Sequence, residues 1–150
     1  MNVDTVLAAL VSHAAASGWF ERVNTAEPTN APGNGLTASI WADRGGPAAG
    51  ASGLSSTTAL MVFTLRIYSR MFATPRDDID PEALKAVDAL LAAYSGDFSL
   101  GGSVKQVDVL GRHGTSLGFQ AGYLNVSGDM YRIIDVTIPL VVNDAWTQVE

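Results

Sequence analysis

Cysteine is absent from this 150-residue sequence, which excludes disulfides, thiolate-ligated zinc and thiol catalysis together. Positive charge is scarce. Two lysines and seven arginines face fifteen acidic residues, for a net charge of −6. Such a chain is poorly suited to gripping phosphates, although it could line a passage that DNA traverses without sticking. No stretch approaches the run of about 18 apolar residues that a membrane helix needs. No basic region precedes the apolar part of "MNVDTVLAAL", so the start does not read as a secretory signal. Aromatic and basic residues do not interleave along any strand pattern, so no stacking platform for single-stranded nucleic acid is encoded. Internal repeats are also missing.

What is present is apolar. Hydrophobic residues make up 47% of the chain and charged residues 16%, and the mean hydropathy is +0.19. A chain of this size forms one domain, residues 1–150, and buries roughly 70% of its unfolded surface without a metal or cross-link. The apolar excess fits either a well-filled core or a protein–protein contact.

Periodicity places the elements. Val3, Val6, Leu7, Leu10, Val11, Ala14 and Ala15 mark one face of a first helix. Asn2 or Asp4 caps that helix and Gly18 ends it. Trp19 and Phe20 are placed to pack back on its last turn. Residues 24–35 read as an extended loop and 36–43 as a strand. Residues 57–70 form a long β-branched and aromatic strand. A second helix follows, with Asp80 as N-cap, Pro81 at its first position, Leu84, Val87, Leu91 and Tyr94 as its buried stripe, and Gly96 at its end. Strands at 104–110, 117–125 and 130–142 close the chain, the last two as a hairpin through Ser127, Gly128 and Asp129. Pro139 implies an edge or a bulge, because proline cannot donate to a ladder. The fold class is therefore α/β in the α+β sense: a mostly antiparallel sheet of about five strands packed with two main helices. Thirteen residues of straight strand would span about 43 Å. A domain of this length is only about 38 Å across. The longest strands thus bend at bulges or project, as in a ring-forming subunit.

Between two of these strands lies "RGGPAAGASGLSS", residues 44–56. It is longer than a hairpin needs and rich in glycine, which costs entropy to order. Its expected state in a free subunit is mobile, becoming ordered against a neighbour. Gly45, Gly46, Gly50 and Gly53 supply the freedom, and Leu54 is its one apolar anchor.

Candidate chemistry is sparse. "HGTSLG" fits the G-x-S-x-G pattern, with Ser116 as nucleophile and His113 nearby. A nucleophile elbow needs a strand before the serine and a helix after it. Here Leu117, Phe119, Ala121 and Tyr123 alternate as a strand, so a turn role for His113 and Ser116 is the simpler reading. Asp77, Asp78, Asp80 and Glu82 gather ahead of a helix, as capping and the dipole require, but lack the spacing of a calcium loop. "GGPAAGASG" has no following Lys-Ser/Thr and is no phosphate loop. Asn125-Val126-Ser127 matches a glycosylation sequon, by chance in a chain without a secretion signal. His13 lies at the margin of its helix's apolar face. No catalytic, cofactor or metal residue is assigned.

Three stretches carry a resemblance: "GWFERVNTAEPTNAPGNGLTASIW", "IDPEALKAVDALLAAYSGDFSLGGSVKQVDVLG" and "AGYLNVSGDMYRIIDVTIPLVVNDAW". Together with the order of elements, they make the chain resemble the tail terminator proteins of long-tailed, non-contractile phages, especially those of actinobacteria. The resemblance implies a virion structural protein without catalytic residues or cofactor. It implies a homohexameric ring at the head-proximal end of the tail, assembled in the host cytoplasm. The expected partners are further copies of the chain, the major tail tube protein and a neck or head-completion protein. DNA would pass through the lumen without specific binding, and no membrane is involved. Another neck ring protein, of head-completion or stopper type, is the alternative, with a small serine hydrolase behind it.

Overall fold

Alternating β-branched and aromatic residues build a sheet, and two amphipathic helices cover one of its faces. The computed structural model describes residues 2–20, 22–25, 36–48, 56–70, 79–126 and 128–147. Their order is α1 (Val3–Ala16), β1 (Arg22–Asn24), β2 (Thr37–Pro47), β3 (Ser56–Arg70), α2 (Ile79–Gly96), β4 (Gln106–Val107), β5 (Gly118–Val126) and β6 (Asp129–Thr147). The sheet runs β1-β2-β3-β6-β4, and β5 pairs with β6 on the same side as β4. All pairings are antiparallel except β1 with β2, so the sheet is mixed and has six strands among the described residues. Periodicity alone supplied neither β1 nor its parallel pairing, because three residues are too few to display a pattern.

The helix-side face carries Ile40, Phe63, Leu65, Ile67, Ile138 and Leu140, all essentially buried. They meet Val6, Leu10 and Ala14 of α1 and Ala83, Ala86, Val87, Leu90 and Tyr94 of α2. Each fully buried Leu or Ile contributes about 1.5–3 kcal/mol through removal from water. The stripe on α2 differs from the pattern expected. Leu84 is 45% exposed, and Ala83, Ala86 and Leu90 take the buried positions. Val87 and Tyr94 are buried as expected, and Leu91 packs partly buried against the core. The helix also begins at Ile79, so Asp80 and Pro81 lie inside its first turn rather than at the cap and the first position.

α1 follows its expected cap. Asn2 Oδ1 accepts the Thr5 N–H at 3.1 Å, and Gly18 takes φ +76° after Ser17 closes the helix. Val3 and Ala15, at the two ends of the apolar line, are exposed.

Bulges occur at two places. β2 gains one residue against β3 between Ala42 and Arg44, and the β3–β6 register shifts between Thr57 and Ala59. Pro139 is a correction: it is buried in a central strand, opposite Val62. Its carbonyl accepts the Asp108 N–H at 2.9 Å. A strand residue directs its N and its C=O to the same neighbour, so the missing N–H faces Asp108, just past the end of β4, whose carbonyl accepts the Gly111 N–H instead. The expected strand at 104–110 contracts to β4, because after Asp108 the chain turns away through a Gly111 N–H to Asp108 C=O bond. The β5–β6 hairpin forms as expected, with Gly128 at φ +85°.

Candidate functional site

The segment after β4 decides the question raised by Ser116. Asp108 is 3% exposed, and its two carboxylate oxygens accept the Arg112 and His113 N–H groups at 2.9 and 2.8 Å. Gly111 and Gly114 adopt φ +73° and +108°, and the Leu117 N–H returns to the Val109 carbonyl. Ser116 is exposed at the end of this turn, and β5 rather than a helix follows it. No hydrogen bond joins His113 to Ser116 among the described residues. The segment is an Asp-centred turn, not a nucleophile elbow.

Its position is tertiary. Arg44 Nη2 donates to Thr115 Oγ1 at 2.8 Å. Since β3 and β6 separate β2 from β4, the turn reaches across the sheet face opposite the helices. On that face Arg66 grips Asp135 through two bonds, Nε to Oδ1 at 2.6 Å and Nη2 to Oδ2 at 3.1 Å. The same guanidinium lies 5.3 Å over the Trp41 ring. The hydrogen bond to Asp135 raises the Arg66 pKa further above its ordinary value, against the opposing effect of burial. Tyr68 and Tyr131 pack edge to face at 6.3 Å beside Ile133.

The glycine-rich interaction candidates separate. Gly45 and Gly46 are not loop residues: they lie in β2, opposite Met61 and Leu60. A Cβ on Gly45 would collide with the Met61 thioether, so the glycine admits that side chain. Arg44, Gly46, Pro47, Leu60 and Val62 line an open depression of about 220 Å³. Gly50, Gly53 and Leu54 lie outside the described residues, as do Asp77 and Asp78 of the acidic cluster. Among the described residues no three His, Asp or Glu side chains gather as metal ligands. No described helix is long and apolar enough to cross a membrane.

Two strand edges have no further strand beside them among the described residues. β5 pairs with β6 over nine consecutive positions. Apart from an Arg132 bond to the Gly122 carbonyl, at 3.3 Å, no other described element bonds its backbone. Its helix-side residues Phe119 and Tyr123 are 50% and 62% exposed, and Met130 beside them is 40% exposed. β1 covers the outer edge of β2 only over Thr37, Ala38 and Ser39, leaving residues 41–47 without an outer partner among the described residues. The β5 edge was missed at the level of sequence. Its signal was available: nine strand residues without one charge or proline.

The fold defines an α+β class, two helices on one face of a mixed six-stranded sheet. No family model and no curated protein matches the chain. Among solved structures, a chain from the virion of a native gene transfer agent particle is similar, with a TM-score of 0.52 and 20% identity. The match covers 91% of this chain and 93% of that one, so the likeness is one of overall fold.

Proposed function

We infer that the chain is a structural protein of a phage-like virion, and within it a tail terminator. It forms a hexameric ring on the last ring of tail tube protein, stops tube growth and offers a surface to the neck of the filled head. DNA passes through the lumen without being held. The reading is carried by the full-length fold similarity to a chain of a gene transfer agent virion. The resemblance of three long sequence stretches to tail terminators supports the finer assignment. So does an acidic chain of net charge −6, which repels the DNA it surrounds. The protein is not an enzyme in this reading, in keeping with the turn built around Asp108 in place of a nucleophile elbow.

Deleting the gene from the phage tests the assignment. Electron microscopy is expected to show filled heads and unattached tails of uncontrolled length. Tails of normal length would overturn the terminator reading and favour a head-completion or stopper protein of the same neck, whose loss leaves tail growth untouched.

A further inference from the structure

We propose that β5 of one copy pairs with the outer edge of β2, residues 41–47, of the next copy, joining the two sheets antiparallel and head to tail. The pairing deepens the ring reading and rests on it for the number of copies.

β5 is an edge without defences. Natural edge strands carry charges, prolines or bulges that stop another strand from adding. β5 reads "GFQAGYLNV", with no charge and no proline, and its register with β6 is unbroken. Phe119 and Tyr123 stand half or more exposed along it. An uncovered, uncharged strand of this kind is a template for a further strand.

The occupant is a second copy because of charge and direction. Two chains of net charge −6 repel unless they meet where neither carries net charge. β5 carries no charge of its own, and residues 41–47 hold one acid and one base, Asp43 and Arg44, hydrogen-bonded to each other at 3.1 Å. With the bulge between Ala42 and Arg44 and with Pro47, this edge is guarded and admits only a strand that matches its bulge. Direction also fits. β2, β3, β6 and β5 alternate along the sheet, so β2 and β5 run opposite ways. Rotation about an axis along the strands keeps that relation, and β5 of one copy then meets β2 of the next antiparallel. The open lengths are comparable, about 23 Å for seven residues and about 30 Å for nine. Two different edges on one subunit make a heterologous contact, the kind that generates rings.

The chain has no cysteine, so introduced thiols report this contact alone. Ala42→Cys and Ala121→Cys place exposed thiols on the helix-side face of the two edges. Arg44→Cys and Gln120→Cys place them on the opposite face. Under oxidation, a β2 variant mixed with the β5 variant of the same face is expected to link, in concentrated purified protein and in virions. Each double variant gives a ladder of linked copies, and no single variant links to itself. Ala121→Lys is expected to weaken self-association about tenfold or more by mass measurement, with its circular dichroism and melting unchanged. Gln120→Lys is the second such variant, should Ala121→Lys fail to fold.

Self-linking of Ala121→Cys or Gln120→Cys alone overturns the proposal in favour of a two-fold β5 contact. Absence of links in both purified protein and virions, with self-association unchanged in both lysine variants, overturns strand pairing altogether. If tails are controlled in length but no β2–β5 link forms, the pairing falls and the terminator reading stands. If the protein links as expected but is absent from virions, the terminator reading falls and the pairing stands.

Discussion

Tyr94 on α2 donates its hydroxyl to the Leu10 carbonyl of α1 at 2.9 Å, and both residues are fully buried. The bond fixes the two helices against each other beneath the sheet, and the His13 ring stands edge-on to Tyr94 at 5.7 Å. Burial raises the Tyr94 pKa well above the usual phenol value, so the hydroxyl stays protonated as the donor. Tyr94→Phe keeps the ring and removes the bond. It is expected to cost about 1 kcal/mol. For a domain of this size that lowers the melting temperature by about 2–4 °C, readable by calorimetry. An unchanged melting temperature would show that the helix pair is held by packing alone.

A second link between the helices depends on pH. His13 Nε2 lies 2.9 Å from Asp97 Oδ2, just beyond the end of α2. The bond to His13, with a further one from the Gly101 N–H, lowers the Asp97 pKa below its ordinary value. A carboxylate depressed in the folded state stabilises above its unfolded pKa, near 3.9, and loses that contribution as pH falls through its folded value. Urea midpoints for the wild type and Asp97→Asn should therefore differ at pH 6 and converge as the pH drops below the ordinary carboxylate range. A gap that persists undiminished at the lowest pH would rule this out.

Asp108 organises the turn that crosses the second sheet face. Asp108→Ala strips two backbone N–H groups of their acceptor in a partly buried setting, at a cost of about 1–3 kcal/mol. The urea midpoint should fall accordingly. Amide exchange at Arg112 and His113 should rise more than exchange in β3.

The same turn distinguishes a structural glycine from a dispensable serine. Gly111 has φ +73°, and a Cβ there would stand 3.0 Å from the Ser116 backbone nitrogen. Gly111→Ala is expected to destabilise by about 1–2 kcal/mol. Ser116→Ala should change stability by less than about 0.5 kcal/mol, and phage carrying it should assemble and infect normally. Loss of infectivity with Ser116→Ala in intact particles would reopen the question of chemistry at this serine.

Local pattern made several features legible. The cap at Asn2, the turn at Gly128, the core of β3 and most of β6 depend on residues that are neighbours in sequence. The α2 stripe was less readable, because alanine counts little in a hydrophobic pattern. Yet Ala83 and Ala86 are among its most deeply buried residues. The extension of β2 through Arg44, Gly45, Gly46 and Pro47 opposes strand propensity. It exists because Leu60 and Met61 of β3 lie alongside to pair with it.

The sequence by itself determined that thiol chemistry is impossible, that charge disfavours phosphate binding, and that helix–sheet packing builds the core. It did so because composition and periodicity are properties of the chain alone. Only the tertiary structure decided that Pro139 sits inside the sheet, that Asp108 turns a hydrolase-like motif into a strap over one face, and that β5 and residues 41–47 have no outer strand among the described residues. These depend on which distant strand lies beside which, and on where each strand's pairing stops. Backbone hydrogen bonds between strands carry no side-chain signature, so the partner of an edge is settled only when the sheet has formed.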